Sequence, residues 1–576
     1  MSGTPALWAP RAARVELVTD AGREPMRAAE GGWWHTDTVL QPGERYAFSL
    51  DGGDPRADPR GLRLPDGPHG SSAWYDAGTL SWHDDGWTGS PLEGAVIYET
   101  HIGTFTPEGT LDAAVERLPH LVDLGVTVVE LLPLASYPGR HGWGYDGVAP
   151  WSVHEAYGGP DALHRFVEAA HAAGLGVCLD LVYNHLGPDG NYLAEIGPYL
   201  DDRYVTPWGQ AVNLDGPDSH EVRRWVVENA LLWLRDFHVD GLRLDAVHEL
   251  HDEGALPILE ELSREVDALA EETGRPKWLV AESDRNDPRT VTPRGPGKVV
   301  AGLGVHGQWV DDVHHALHVA LTGESQGYYS DFADPEALPK VLRSPFFHDG
   351  TWSSFRGRSH GRPVDASVPG WRFVASLQTH DQVGNRAEGE RLSQLVDPGL
   401  LACGAAVLLT APWTPMLFMG EEWAAGTPWQ FFTDHTNPDI AAATAAGRKA
   451  EFGSHGWAEE DVPDPQDPAT FERSRLDWSE PGRAPHARML RWYTDLIALR
   501  REHPELRDPA LGNPDVHWAD RHLAVGRGPF RVLANLADRP WSVESPGEVV
   551  LAWDEVGAGE GTLVVPPRSA VVVRSA

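Results

Sequence analysis

The middle of the chain repeats one pattern, in which a short apolar run alternates with a longer amphipathic stretch. The short runs predict buried strands and the amphipathic stretches predict helices. The predicted strands cover residues 95–100, 126–133, 176–182, 241–244, 278–281, 305–310, 372–377 and 415–419. The predicted helices cover residues 111–124, 161–173, 221–237, 257–272 and 487–501. Strands and helices that alternate in this way favour a parallel (β/α)8 TIM barrel over an open doubly wound sheet.

Both ends of the chain follow a different pattern, in which short strand-like runs are separated by turn residues. Such runs cover residues 14–18 and 45–50 near the N-terminus, and 531–535, 548–552, 562–566 and 570–574 near the C-terminus. We therefore predict an N-terminal β-sandwich of accessory function over residues 1–90, the barrel with insertions over 91–510, and a small antiparallel β domain over 511–576. The long polar stretch 427–480, which has scattered helical pieces, is predicted to be a loop region over the barrel mouth.

Composition narrows the class of protein. The 576 residues are too many for one compact core, which agrees with several domains. The net charge of −38 disfavours binding to nucleic acid or to anionic membranes. Cys178 and Cys403 lie in apolar runs and are predicted to be buried hydrophobes rather than a disulfide or metal ligands. We see neither a leader nor a membrane-spanning run, and no glycine-rich phosphate loop follows the first strand, so the expectation is a cytoplasmic enzyme that binds no nucleotide.

Polar clusters follow four of the predicted strands, at the end where barrel enzymes build their active sites. The clusters contain Asp180, Asn184 and His185; Arg243, Asp245 and His248; Glu282; and His380, Asp381 and Gln382. A single Asp in such a place is often a helix cap, and a single His is usually structural. Four clusters in this order are not explained in that way. Asp245 and Glu282 form a carboxylate pair of the kind that cleaves glycosidic bonds.

The order Asp-x-x-x-Asn-His, Gly-x-Arg-x-Asp, a strand-end Glu and His-Asp resembles the four sequence regions of the α-amylase superfamily, glycoside hydrolase family 13. The resemblance implies a retaining mechanism, in which the two carboxyl groups lie about 5 Å apart. It makes Asp245 the nucleophile and Glu282 the acid and base, with a raised pKa. Asp381 would bind the 2- and 3-hydroxyls of the distorted sugar ring.

Other residues have supporting roles in this interpretation. Arg243 lies two residues before Asp245 on a strand, so both point to the same face, where Arg243 can keep Asp245 ionised. Tyr145 resembles the stacking platform of the family, although a packing role on a loop is the alternative. The remaining candidates for contact with sugar hydroxyls are Asp146, His185, His248, His380 and Gln382.

Longer stretches resemble the maltooligosyltrehalose trehalohydrolases within this superfamily. They cover residues 99–106, 139–147, 311–318, 379–385, 419–423 and 431–435. The resemblance implies hydrolysis of the α-1,4 bond next to a terminal trehalose unit, without a cofactor, and functional pairing with a maltooligosyltrehalose synthase. Asp311, Asp312, His314 and His315 are candidates for contact with the leaving disaccharide. For each of them the alternative is a capped helix start with surface histidines, but we expect at least one to face the substrate.

Several alternatives stay open. A glycogen branching enzyme would transfer the glucan chain to a 6-hydroxyl instead of to water, and a plain α-amylase would not require the trehalose end. A non-catalytic glucan-binding protein is a further possibility, against which the joint presence of Asp245, Glu282 and Asp381 argues. We predict no metal site, although Asn184 and nearby carboxylates leave calcium as a weak alternative.

Overall fold

A closed barrel of eight parallel strands forms the centre of the computed structural model. The structure describes residues 3–295, 302–454, 462–544, 547–559 and 561–575. The barrel strands are β1 (Ile97–Thr100), β2 (Val128–Leu131), β3 (Gly176–Leu181), β4 (Gly241–Leu244), β5 (Trp278–Ala281), β6 (Gly307–Trp309), β7 (Phe373–Ser376) and β8 (Thr414–Phe418). Strand β1 pairs with both β2 and β8, which closes the barrel. The predicted TIM barrel is confirmed, and each strand overlaps its predicted run.

The barrel strands are mostly apolar because both of their faces are buried. One buried cluster contains strand residues from around the barrel: Ile97, Val128, Cys178, Trp278, Val280, Trp309, Val374 and Met416. Side chains two residues further along a strand point to the same face. Glu99, Glu130 and Asp180 follow Ile97, Val128 and Cys178 at this spacing, so they form a polar layer nearer the C-terminal ends of the strands.

The helices around the barrel differ from the prediction in four places, one of which is that Asp311–Thr322 was not among the predicted helices. The observed helices are Leu111–Val115, Leu118–Leu124, Gly159–Ala172, Ser219–Leu231, Ile258–Thr273, Asp311–Thr322, Pro398–Thr410 and His486–Glu502. The predicted helix 111–124 is two helices, and Pro119 lies in the first turn of the second, where its missing N–H is tolerated. The predicted helix 221–237 ends as a π-helical turn over Leu232–Asp236. Pro398–Thr410 was not predicted, because a helix that is buried on nearly all sides has no polar stripe.

Antiparallel sheets flank the barrel at both ends of the chain. The N-terminal strands Ala6–Trp8, Val15–Thr19, Gly22–Pro25, Arg27–Ala28, Trp33–His35, Arg45–Leu50 and Ser72–Ala73 form a three-stranded and a four-stranded sheet. The C-terminal strands Asp515–Ala519, His522–Arg527, Phe530–Asn535, Trp541–Glu544, Glu548–Ala552, Gly557–Gly559, Thr562–Val565 and Ser569–Arg574 form a five-stranded and a three-stranded sheet. This agrees with the predicted fold class. The domain boundaries 1–90, 91–510 and 511–576 stay a prediction.

Three smaller predictions concern segments outside the barrel strands or single residues. The stretch 427–480 contains the helices Pro438–Ser454 and Pro468–Arg473, and its residues 455–461 lie outside the described residues. Cys178 and Cys403 are buried and unpaired, as predicted. Within the described ranges, no helix is both long and apolar enough to cross a membrane.

Candidate active site

Arg243 lies at the centre of the polar residues near the C-terminal ends of the strands. Its side chain on β4 is completely buried. Its Nη1 donates to Asp180 Oδ2 at 2.6 Å and to Asp245 Oδ1 at 2.8 Å, and its Nη2 donates to Glu282 Oε2 at 2.7 Å. One guanidinium group therefore binds carboxylates from the C-terminal ends of three neighbouring strands, with Asp180 inside β3, Asp245 just after β4 and Glu282 just after β5. Tyr145 adds a hydroxyl 2.6 Å from the same Asp180 Oδ2.

The two oxygens of Asp245 have different partners. Oδ1 accepts from Arg243, and Oδ2 accepts from Asn184 Nδ2 at 2.7 Å. Asn184 Nδ2 also donates to the backbone carbonyl of Asp245 at 2.8 Å. Burial raises the pKa of the Asp245 carboxyl above its ordinary value, although the charge of Arg243 and the hydrogen bond from Asn184 act in the opposite direction. The two donors thus stabilise a carboxylate in a place that water hardly reaches.

Glu282, by contrast, receives both of its hydrogen bonds on one oxygen. Arg243 Nη2 and the backbone N–H of Ala246, 2.8 Å away, both donate to Oε2. Ala246 has a positive φ of 38°, an uncommon conformation for a non-glycine residue that accompanies this contact. Within the described part of the chain, no group donates to Oε1. Burial raises the pKa of the Glu282 carboxyl and nearby Asp245 raises it further, although Arg243 opposes both. Glu282 therefore has a free oxygen and an environment that favours a proton.

Asp381 follows β7 in a short helix, His380–Gly384, which Thr379 caps. The Gln382 side-chain oxygen completes this cap by accepting from the Thr379 backbone N–H at 2.9 Å. His380 pairs with Glu99 at the end of β1, with Nδ1 2.5 Å from Oε1. Burial opposes the charged form of His380, but Asp381 and Glu99 outweigh it and raise its pKa to about 9. The Asp381 side chain is 39% exposed, which leaves its carboxylate accessible to a ligand.

Tyr145 and His185 form an aromatic layer beside these carboxylates. The Tyr145 ring stacks on His380 with 5.1 Å between the ring centroids. His185 contacts the Tyr145 carbonyl through Nε2 at 3.0 Å and stacks on Trp208, whose ring lies 4.6 Å away. Trp208 is 48% exposed, so the layer reaches the surface.

The two remaining candidates, Asp146 and His248, contact residues outside the carboxylate pair. His435 Nε2 is 3.7 Å from Asp146 Oδ2. His248 Nδ1 accepts weakly from the backbone N–H of Asp284 at 3.5 Å.

The four candidates on helix Asp311–Thr322 are divided between a cleft and the protein interior. A cleft of about 790 Å³ is lined by Glu282, Trp309, Asp311, His315, Glu324, Gln326, Gly327, Tyr328, Tyr329, Phe355, Arg356, Asp381, Gln382, Asn385, Arg386 and Ala387. Burial and the charges of Glu282 and Asp381 raise the pKa of Asp311 to about 7. Asp312 instead accepts from Asn286 Nδ2 at 2.9 Å and from two backbone N–H groups. His314 is 1% exposed.

Comparison with known proteins identifies the family of this chain. The family model of the alpha-amylase catalytic domain matches residues 72–205. The malto-oligosyltrehalose trehalohydrolase of Arthrobacter ramosus is 55% identical, over 99% of this chain and 99% of its own. This chain belongs to the malto-oligosyltrehalose trehalohydrolase family. The trehalohydrolase of Mycobacterium tuberculosis is 50% identical, again over 99% of both chains.

Solved structures show the same architecture. A crystal structure from Salmonella typhimurium has a TM-score of 0.90 at 36% identity and covers 99% of this chain and 97% of that one. A pullulanase from Bacillus acidopullulyticus has a TM-score of 0.71 at 17% identity, covering 99% of this chain and 73% of its own, a likeness that shows the fold alone.

Some cleft residues of this trehalohydrolase-family chain were not candidates in the sequence. Trp309 ends β6, and its ring lies 4.4 Å from the Arg243 guanidinium. It would have been found if the C-terminal end of every predicted strand had been searched for candidates. Glu99, which pairs with His380 and is not in the described lining of the cleft, lies at the end of β1 and could have been found in the same way. Tyr328, Phe355 and Arg386 lie outside the barrel strands, where the sequence has no periodic signal.

The side chain of Asn184, the residue named for the calcium alternative, makes contacts at both ends of its amide. Its Nδ2 bonds to Asp245, and its Oδ1 contacts the ring of His185, so both ends of the amide are engaged. Among the residues that the structure describes, no group of three or more His, Cys, Asp or Glu side chains is arranged to hold a metal ion.

Proposed function

We propose that this protein hydrolyses the α-1,4-glucosidic bond next to the terminal trehalose unit of maltooligosyltrehalose and releases trehalose with retention of configuration. The observation that carries the proposal is the carboxylate pair Asp245 and Glu282, held by one guanidinium at the end of the barrel where enzymes of this fold act. The full-length identity to trehalohydrolases supports the choice of substrate.

The arrangement around Arg243 supports a retaining mechanism. Asp245 and Glu282 bind to the two terminal nitrogens of the same guanidinium, at 2.8 and 2.7 Å. This keeps the carboxyl groups close together, as in retaining enzymes, where they lie about 5 Å apart, rather than about 6.5–9.5 Å apart as in inverting ones. A short separation lets one carboxylate attack the sugar directly, because no water has to fit between it and the ring.

In the first step, the Asp245 carboxylate attacks the anomeric carbon and forms a covalent ester. The bond from that carbon to the bridging oxygen breaks, and Glu282 gives its proton to this oxygen, so that trehalose leaves. Burial raises the pKa of both carboxyl groups, and Arg243 opposes this in both. Their hydrogen bonds differ: Asp245 accepts on both oxygens, which favours the ionised nucleophile, whereas Glu282 accepts only on Oε2 among the described residues, which leaves Oε1 able to carry the proton.

In the second step, the Glu282 carboxylate takes a proton from a water molecule as the water oxygen attacks the anomeric carbon. The ester bond to Asp245 breaks, so that Asp245 is again a carboxylate and Glu282 is again protonated. Two inversions at one carbon retain its configuration.

Binding roles follow from position. Asp381, His380, His185 and Tyr145 surround the glucose unit that reacts. Asp311 and His315, which line the cleft beside Glu282, contact the leaving disaccharide. Asp312 and His314 stabilise the helix that carries them. A synthase that forms the trehalose end of a glucan would supply the substrate, and this pairing is functional.

The test compares maltotriosyltrehalose with maltopentaose, which contains the same number of glucose units without the trehalose end. The purified protein should release trehalose from the first and act poorly on the second, and Asp245→Asn should act on neither. Equal cleavage of both substrates would indicate a general amylase, and new 1,6 linkages on a long glucan would indicate a branching enzyme. Full activity of Asp245→Asn would contradict the assignment of the nucleophile.

A further inference from the structure

An ion pair joins two walls of the cleft that carry no part of the carboxylate pair. One wall is the segment after helix Asp311–Thr322, and Glu324 is its first cleft residue. The other wall follows the helix His380–Gly384 and contains Arg386. Arg386 Nη1 lies 2.8 Å from Glu324 Oε2 and Nη2 lies 3.0 Å from Oε1. Such a two-point contact determines both the distance and the relative orientation of its partners.

Glu324 is also connected by contacts to the aromatic residues of its own wall. Its Oε2 is 2.8 Å from His318 Nε2, and the His318 ring stacks on Tyr329 with 4.4 Å between centroids. The Tyr329 ring in turn contacts Tyr328, again at 4.4 Å, and Tyr328 is 39% exposed at the cleft. A change at Glu324 therefore reaches the exposed ring through two packed neighbours.

Arg386 is connected to the catalytic side in a similar way. Its neighbour Asn385 lines the cleft and donates from Nδ2 to Asp381 Oδ1 at 3.3 Å. The side chains of Arg386 and Glu324 are 19% and 34% exposed, so water screens the pair less than an ion pair on the open surface. The pair is thus placed to hold the Tyr328 wall at a fixed distance from the Asp381 wall.

The cleft between these walls lies on the side of the leaving group. Its described lining includes Glu282, which protonates the leaving oxygen, and it reaches the reacting glucose only at Asp381, since Tyr145, His185 and His380 are not part of that lining. We propose that Glu324 and Arg386 are positioning residues that set the width of the cleft for the leaving disaccharide and thereby favour a trehalose end over a maltose end. This inference rests on the proposed function and deepens it.

Glu324→Gln is the sharpest variant. The amide keeps the shape of the side chain and can still accept from His318, but it presents an NH₂ group to one nitrogen of Arg386. Coupled contacts of this kind are worth about tenfold, so we expect KM for maltotriosyltrehalose and the inhibition constant of free trehalose each to rise about tenfold. The kcat and KM for maltopentaose should change less, so the preference for the trehalose end falls.

Glu390→Gln is the matched control, because Glu390 approaches Arg386 only at 3.6 Å and is not among the described residues lining the cleft. It should leave the trehalose inhibition constant unchanged. Arg386→Lys keeps the charge but not the two-point contact, and it replaces Glu324→Gln if that variant does not fold.

Three outcomes would each overturn a stated conclusion. If the wild-type protein releases trehalose but folded Glu324→Gln and Arg386→Lys keep its inhibition constant and substrate preference, the positioning role is wrong and the proposed function stands. If the wild-type protein releases no trehalose from maltotriosyltrehalose, the proposed function and this inference both fail. A loss of kcat that is equal on both substrates would also overturn the inference, because it would indicate a general structural role.

Discussion

Replacing Arg243 by lysine tests how the carboxylate pair is organised. The substitution keeps a positive charge on β4 but removes the planar group that binds several acceptors at once. In the structure, the guanidinium contacts Asp180, Asp245 and Glu282 at 2.6–2.8 Å through two different nitrogens. A lysine has a single nitrogen, so it cannot reproduce all three contacts in the same geometry.

The expected size of the effect follows from the bonds that are lost. If one hydrogen bond to a charged group is lost, the cost is about 1.5–3 kcal/mol. This corresponds to a decrease of about 10- to 150-fold in kcat/KM for maltotriosyltrehalose. Arg243 lowers the pKa of both Asp245 and Glu282. A less effective cation lets both pKa values rise, so the acid limb and the alkaline limb of the pH profile should both move to higher pH.

The assay measures kcat/KM for release of trehalose over a range of pH, together with thermal unfolding. Arg500→Lys is the control, since Arg500 is another buried arginine, 3% exposed, whose terminal nitrogens donate to backbone carbonyls. Both variants should unfold at a lower temperature than the wild type. Only Arg243→Lys should have a lower activity per molecule of correctly folded protein.

One result would refute the reasoning. If folded Arg243→Lys kept kcat/KM within about threefold of the wild type and both limbs of its profile stayed in place, a single cation without fixed geometry would be sufficient. The guanidinium would then have no organising role for the pair, and its three contacts would matter only for the stability of the barrel.

Three further predictions concern the acid, a buried histidine and a glycine. Glu282→Gln should lower kcat on maltotriosyltrehalose by about 10²–10⁴ in steady-state kinetics. The loss should be much smaller on an aryl glycoside whose leaving group needs no proton. Equal losses on the two substrates would contradict the role of Glu282 as the acid. His380 has a pKa of about 9 in the folded protein against the ordinary 6.5, so its contribution to stability is complete below pH 6.5 and is lost as the pH rises through about 9. The melting temperature of the wild type should therefore fall more steeply over this interval than that of His380→Gln, and parallel curves would show that the histidine does not gain a proton on folding. In Gly384→Ala the new Cβ would lie 2.0 Å from Trp143 Cζ2, and this overpacking should cost about 1–3 kcal/mol in denaturant unfolding. Gly447→Ala is its control because nothing lies within 4 Å of that position, and equal stability of the two variants would show that the site adapts freely.

The barrel could be predicted because its signal is local. A strand that is buried on both faces has an apolar run, and the residue just after that run lies at the C-terminal end of the barrel. This rule alone indicated Asp245, Glu282 and Asp381, since each follows a different strand. Periodicity did not reveal the helix Pro398–Thr410. Its burial on nearly all sides removes the polar stripe from which a helix is recognised.

The sequence by itself determined which side chains share a face and an end of the barrel, because a strand has a period of two and its direction is set by the parallel order. Contacts between residues far apart in the chain were decided only by the tertiary structure. The pairing of β4 with β5 places Arg243 against Glu282, 39 residues away, and the packing of two segments outside the strands places Glu324 against Arg386, 62 residues away. The division between Asp311 in the cleft and Asp312 in the interior also required the tertiary structure. Adjacent helix residues point in different directions, and only the way the helix packs on its neighbours decides which one meets the substrate.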